Sequence, residues 1–255
     1  MGRSTWWRAA RNCLLVAMLG LIAYSWATVL PTSGLAFGHD LVLYQRHVQA
    51  ILAGGPFYPV HELAGPFTIG EGDILYPPVA IVCFVPTLVL PLPLWWILPA
   101  VVVAVAFRGV RLRTWALFAL LACLADPFTP ELAWVGNPDI WLVAALAAAL
   151  RWNRGLAALV LLKPSVFEFS IIGLRHRSWW AAAAVLAIAS LILLPQTVDW
   201  FHVLANAQGA PLRSGLAYSS MDVPLLAMPL IAWFGRVPGT PPGFGGEGAA
   251  PAPTA

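Results

Sequence analysis

The sequence predicts an all-α integral membrane protein: a multispanning helical bundle of about 6–8 membrane segments with a large first extracytoplasmic loop. Three observations lead there. Hydrophobic residues fill 60% of the 255 positions, more apolar surface than a soluble globule of this size can bury. Charged residues make up only 10%, against about 25% in an average soluble domain. One stretch, Gly38 to Pro78, is too polar to cross a bilayer, and apolar segments flank it on both sides. The net charge of +3 gives no sign of a nucleic-acid partner. In such a chain the informative charges are the arginines and the loops that hold them.

The N-terminus carries Arg3, Arg8 and Arg11 ahead of an apolar run from about Asn12 to Leu30. That run is longer than a signal-peptide core and lacks a small-residue cleavage site, so it reads as an uncleaved first span. Its arginines place the N-terminus in the cytoplasm and the following loop, 31–75, outside the plasma membrane. That loop contains Asp40, Glu62, Glu71 and Asp73, and the histidines His39, His47 and His61. Asp40, Tyr44, His47 and Ile51 recur at one-face helical spacing, so a helix lying at the membrane surface is expected, ended by Gly54-Gly55-Pro56.

From Tyr76 to Phe107 the chain is apolar but cut by Pro86, Pro91, Pro93 and Pro99. One helix of that length would measure roughly 48 Å, too long for a hydrocarbon core of about 30 Å. Two helices turning near Pro91-Leu92-Pro93 fit better, yet they would put Arg108, Arg111 and Arg113 outside, and the parity of the spans between 76 and 139 stays open. Thr114 to Ala125 leads to an acidic connection, Asp126 to Asp139, placed outside. Ile140 to Leu150 returns to Arg151 and Arg154. Gly155 to Leu174, interrupted at Lys163-Pro164, is either a crossing or a broken, re-entrant hairpin. Trp179 to Leu194 runs outward to a second polar loop, 196–222, which holds Asp199, His202 and Arg213. Val223 to Phe234 is apolar but short. These parts form one domain, 1–235, with a Gly/Pro/Ala tail, 236–255, expected to be disordered. The tryptophans, among them Trp6, Trp7, Trp95, Trp96, Trp179 and Trp180, read as interfacial anchors, and Cys13, Cys83 and Cys123 as packing residues.

Asp40 is the leading candidate for chemistry. A carboxylate at the outer surface can take a proton from a sugar or lipid hydroxyl; it can equally cap a helix that starts at Leu41. Lys163 is the single lysine, and in hydrocarbon it needs an anion or a polar cavity, or else snorkels from a helix end. Glu168, five residues on, is the partner that sequence proximity offers. The His39, His47 and His61 set fits no familiar ligand spacing, so no metal is expected.

Several motifs then agree. Gly38-His39-Asp40-Leu41-Val42-Leu43-Tyr44 follows the first membrane helix. Gly54-Gly55-Pro56-Phe57-Tyr58 comes next, and Tyr76-Pro77-Pro78 opens the following span. With Gly136-Asn137-Pro138-Asp139 and the run from Gly155 to Lys163-Pro164, this order resembles glycosyltransferase family 87, over residues 12 to 205. The resemblance implies a GT-C-like fold and transfer of a sugar, often mannose, from a polyprenyl-phosphate donor to a glycolipid or glycan acceptor, with inversion, at the extracytoplasmic membrane face. It implies Asp40 as catalytic base and Tyr44 and Tyr76 lining the site. Asn137 and Lys163 would form the donor pocket, Lys163 against the phosphate. His39, beside Asp40, and His202, in the second loop, complete the candidate substrate-binding set. No cofactor or metal is implied, because the donor already carries a lipid phosphate as leaving group. The chain departs from the family pattern at Asn137 and Asp139 and in ending where the family carries further helices, so a C-terminal truncation is expected. The rival expectations are a non-catalytic binder of lipid-linked sugar and a small transporter or flippase for it.

Overall fold

The structure, a computed structural model, describes residues 3–32, 34–70, 72–208 and 221–238. Glu71, Arg213 and most of the expected disordered tail lie outside the described residues. The described chain is mostly helical with almost no strand, as its composition predicts. Its strands are two-residue pieces, Phe67–Thr68 and Ala207–Gln208, paired in parallel.

The first helix, α1 (Arg3–Thr32), contains a 23-residue stretch, Ala9–Pro31, long and apolar enough to cross a membrane. It docks on α6 (Thr114–Ala125) and α7 (Phe128–Val135), and Trp26 Nε1 donates to the Leu124 carbonyl. The rest of its apolar surface, including Leu14, Val16, Leu19 and Leu21, is exposed. Two helix pairs reach span length only when taken together across a bend: α6 with α7, at 63°, and α9 (Arg177–Ile192) with α10 (Leu194–Asn206), at 94°. Among the described residues, one helix therefore meets the criterion alone and up to three do with the bent pairs.

The sharp breaks have a common cause in proline and glycine. Tyr76 to Phe107 does not become two long helices. It gives a short α4 (Pro78–Val82), a 3-10 turn over Val85–Leu88, and α5 (Leu94–Ala106) after Pro91-Leu92-Pro93. The first part lies beneath α2 (His39–Leu52), where Tyr44 stacks on Phe84 at 4.5 Å and Gln45 Nε2 donates to the Thr87 carbonyl. Of these three pieces only α5 is longer than five residues.

α8 (Asp139–Arg151) is the central helix, with Leu142, Val143, Ala144 and every residue from Leu146 to Leu150 buried. Its alanines leave room for close approach by neighbouring backbones, and α5, α11 (Val223–Phe234) and the 3-10 segment Arg154–Leu162 all pack on it. That segment and a second, Pro164–Gly173, are the two legs of a hairpin with Lys163 at its tip. The legs close at the far end, where Gly173 has no side chain and packs against the Arg154 carbonyl and the Trp179 ring. Of the two readings of this region, the hairpin is the one the chain adopts.

The starts of α5, α8 and α11 meet at one end, with Lys163 and α2. The other end gathers Arg111, Arg113, Arg154 and Arg236, while Arg46 lies on α2. Arg154 and Arg236 both lie over the Trp233 ring, at 5.5 and 3.7 Å. Arg113 N donates to the Gly235 carbonyl and Val237 N to the Arg111 carbonyl.

Tryptophans expected to anchor at the membrane interface partly serve a different purpose. Trp180 is exposed, but Trp95 and Trp179 are buried. Trp95 Nε1 donates to the Gly136 carbonyl and Trp96 Nε1 to the Ala133 carbonyl, while Phe37 stacks on Trp96 at 4.4 Å. These bonds fasten the corner between α7 and α8 to the entry of α2. Gly136 stands at this corner with φ +73°, and a Cβ there would come within 2.9 Å of the Trp96 ring. Gly136→Ala should cost about 2 kcal/mol from left-handed strain and the clash, read as a lower denaturation midpoint of the detergent-solubilised protein.

Candidate functional site

A cavity of 590 Å³ opens at the end of the bundle away from the arginines. Three regions distant in sequence converge on it: the first turn of α2, the α7–α8 corner, and the tip of the hairpin. Each supplies a polar group, and these groups form one chain.

The helix begins two residues earlier than the capping reading requires. Gly38, in the left-handed region, is the N-cap, and Asp40 sits within the first turn. Asp40 is therefore not the N-cap. Its Oδ2 instead accepts from Asn137 Nδ2 at 2.9 Å. Asn137 Oδ1 accepts from the Asp139 backbone N–H at 3.1 Å, which fixes the orientation of the amide. Asn137 thus closes the turn that opens α8 and holds the Asp40 carboxylate at once.

Asp139 is fully buried, and both of its carboxylate oxygens accept from Lys163 Nζ at 2.9 Å. Asp222, the N-cap residue of α11, brings Oδ2 to 2.8 Å from the same ammonium as an ion pair, without hydrogen-bond alignment. The cation is thus neutralised by Asp139 and Asp222, while Glu168, the neighbour in sequence, is exposed. Lys163 lines the cavity but is buried and committed to two carboxylates, so it neither snorkels nor presents an unpaired charge to a phosphate.

Asp40, Asp139 and Asp222 set three carboxylates around one ammonium, and Asp73 and Glu131 also line the cavity. Burial raises the Asp40 carboxyl above the ordinary aspartate value of 3.8, and the Asn137 hydrogen bond, His39 and Lys163 pull it only part of the way back. Burial and the neighbouring Asp139 push Asp222 up as well, against the pull of Lys163. A raised value makes Asp40 a stronger base than a solvent-exposed aspartate.

His39, Asp40, Tyr44, Tyr76, Asn137 and Lys163 all line the cavity. His202 does not: it is exposed on α10, two residues along from Trp200, which does line it. Residues two apart on a helix point to opposite sides. Sequence reasoning missed Asp222, Trp200 and Asp73, which also border the cavity, and Asp139 behind it. A lone lysine in an apolar run demands a buried anion, and Asp139, at the head of an apolar helix, was the signal for one. The aromatic walls are braced from behind. Tyr58 Oη donates to the Tyr76 carbonyl at 2.8 Å, Trp200 Nε1 donates to the Leu75 carbonyl at 2.9 Å, and Tyr44 meets Tyr76 edge to face at 5.5 Å.

Comparison with protein families, curated proteins and solved structures finds no match to this chain.

Removing one charge from the ion triad should separate two costs. Lys163→Met leaves Asp139 and Asp222 buried without a cation and should destabilise by about 3–5 kcal/mol. Asp222→Asn keeps one carboxylate for one ammonium and should cost about 1 kcal/mol. Denaturant titration of both variants in detergent checks the difference.

Proposed function

We propose that this chain is a membrane glycosyltransferase that takes a sugar, mannose first among candidates, from a polyprenyl-phosphate donor. Asp40 is the observation that carries the reading: a carboxylate with a raised pKa, aimed by an asparagine into a cavity walled by aromatic rings. Aromatic faces beside carboxylate and amide groups suit a sugar, whose C–H faces stack and whose hydroxyls hydrogen-bond. In the proposed reaction an acceptor hydroxyl oxygen attacks the anomeric carbon on the face opposite the phosphate. The new C–O bond forms as the bond to the phosphate oxygen breaks, the hydroxyl proton passes to Asp40, and the lipid phosphate leaves with the electron pair. The configuration inverts. The acceptor is a glycolipid or glycan at the same membrane face.

The proposed orientation rests on the charge polarity of the bundle. Six helices, α1, α5, α6, α8, α9 and α11, run between the arginine end and the cavity end, and exposed apolar side chains such as Ile97, Val101, Val105, Val185, Ile188 and Leu191 cover α5 and α9. We take these six as spans, the arginine end as cytoplasmic, and the cavity as extracytoplasmic. Arg108, Arg111 and Arg113 then fall inside, because α4 and its 3-10 turn do not cross. Several of these helices hold 12 or 13 residues, about 20 Å of rise, so bent continuations and the 3-10 segments make up the depth.

Membranes expressing the chain should transfer radiolabelled mannose from polyprenyl-phosphate-mannose into lipid, and Asp40→Asn should lower the rate by at least a hundredfold. Unchanged transfer in the variant would remove Asp40 from its role, and absence of transfer with mannose, arabinose and glucose donors would sink the enzyme reading. Because the base must be ionised, activity should fall as pH drops through the Asp40 pKa, with a midpoint above the ordinary 3.8. Asn137→Ala removes a bond that favours the ionised form and should move that limb to higher pH; a pH–rate profile of both forms checks the sign.

A further inference from the structure

The second polar cluster of the first loop lies outside the chain of groups around Asp40. α3 (Val60–Leu63) carries His61 and Glu62, and the following loop brings Asp73 back beside them. His61 Nε2 is 3.0 Å from Asp73 Oδ1, and Asp73 Oδ2 accepts from the Gly70 backbone N–H at 2.7 Å. One ligand atom from each of His61, Glu62 and Asp73 lies within 4.8 Å of the other two. Glu62 adds an independent observation. Its side chain is 0% exposed; Oε1 accepts from the Ile74 N–H at 3.2 Å, while Oε2 has no hydrogen-bond partner among the described residues. A buried carboxylate oxygen left unpaired is costly, and the Glu62 carboxylate has an imidazole nitrogen and a second carboxylate oxygen within 4.8 Å of one of its oxygens.

We propose that His61, Glu62 and Asp73 form a site for a divalent transition-metal ion, with Zn²⁺ the best fit. One imidazole nitrogen and two carboxylate oxygens match the borderline preference of Zn²⁺, whereas Ca²⁺ and Mg²⁺ favour all-oxygen shells. Tetrahedral ligands at about 2.1 Å stand about 3.4 Å apart. Closing to that spacing falls to His61, whose side chain is 60% exposed and can turn inward. The site has a structural consequence. Asp73 and its neighbours Gly70 and Gly72 border the 590 Å³ cavity, and Asn206 Nδ2 on α10 donates to the Glu62 and Leu63 carbonyls. A bound ion would clamp the strap between β1 (Phe67–Thr68) and α4 onto α3, and through α3 onto α10, fixing one wall of the cavity.

The test uses the full chain in detergent, treated with chelator and then titrated with Zn²⁺, Mn²⁺ or Ca²⁺ while thermal unfolding and bound metal are measured. Zn²⁺ should bind at one ion per chain and raise Tm by several degrees at a hundredfold excess over Kd. Mn²⁺ should do so less and Ca²⁺ scarcely at all. His61→Ala changes an exposed residue, so its Tm in chelator should match the parent, and its Zn²⁺ affinity should fall at least tenfold. Glu62→Gln should lose the shift too, while His202→Ala, another exposed histidine, should keep it. No Zn²⁺ shift in the parent, an equal shift with Ca²⁺, or a full Zn²⁺ shift in His61→Ala would overturn the site.

Discussion

The Lys163 ammonium is the constraint on which the rest of the structure depends. An unpaired charge in this apolar interior would cost several kcal/mol, and the chain meets that demand with carboxylates from two helices, Asp139 at the head of α8 and Asp222 at the head of α11. Satisfying the lysine therefore fixes three things together: the tip of the 154–173 hairpin, the start of the central helix and the start of the last described helix. Ion pairs of this kind add little net stability over a hydrophobic alternative. What they add is position, since an aliphatic contact can slide whereas two carboxylates around one nitrogen cannot.

That position passes outward to Asp40. Asp139 is held by Lys163 through its side chain and by Asn137 through its backbone, and Asn137 holds Asp40. The tryptophan ties to Gly136 and Ala133 fix the same corner from the other side. A loop aspartate is thereby referred to the central helix, α8, by side chains that each satisfy a neighbour. On the proposed reading this matters because a general base must sit within hydrogen-bond reach of its proton, and a rigid support shortens the search for that geometry.

The sequence made some of this legible and not the rest, for physical reasons. The all-α class followed from composition, and the breaks near Pro91-Pro93 and at Lys163-Pro164 followed from proline chemistry, because both are local properties. Asp40, Tyr44, Tyr76, Asn137 and Lys163 were singled out, and the fold brings them to one cavity. The partner of Lys163 was not legible in the same way. Glu168 was near in sequence, but the hairpin carries the lysine tip away from it and toward Asp139, 24 residues back, and toward Asp222. Which buried charges pair is a question of tertiary distance, and spacing along the chain does not encode it. The same limit explains Trp95 and Trp96, whose composition suits an interface and whose location makes them braces. His202 lies on the right helix and on its wrong side.

The electrostatics of the site also bear on which part of a lipid-linked sugar it would hold. If Lys163 were free, the cavity floor would be the natural seat of the phosphate. With its charge matched by Asp139 and exceeded once Asp222 and Asp40 are counted, the floor favours neutral hydroxyls and disfavours a second anion. On the proposed reading the sugar hydroxyls, rather than the phosphate, would then lie against Asp40, Tyr76 and Trp200. Inversion then requires Asp40 and the leaving phosphate on opposite faces of the anomeric carbon: the acceptor oxygen attacks and loses its proton on one face while the phosphate departs from the other.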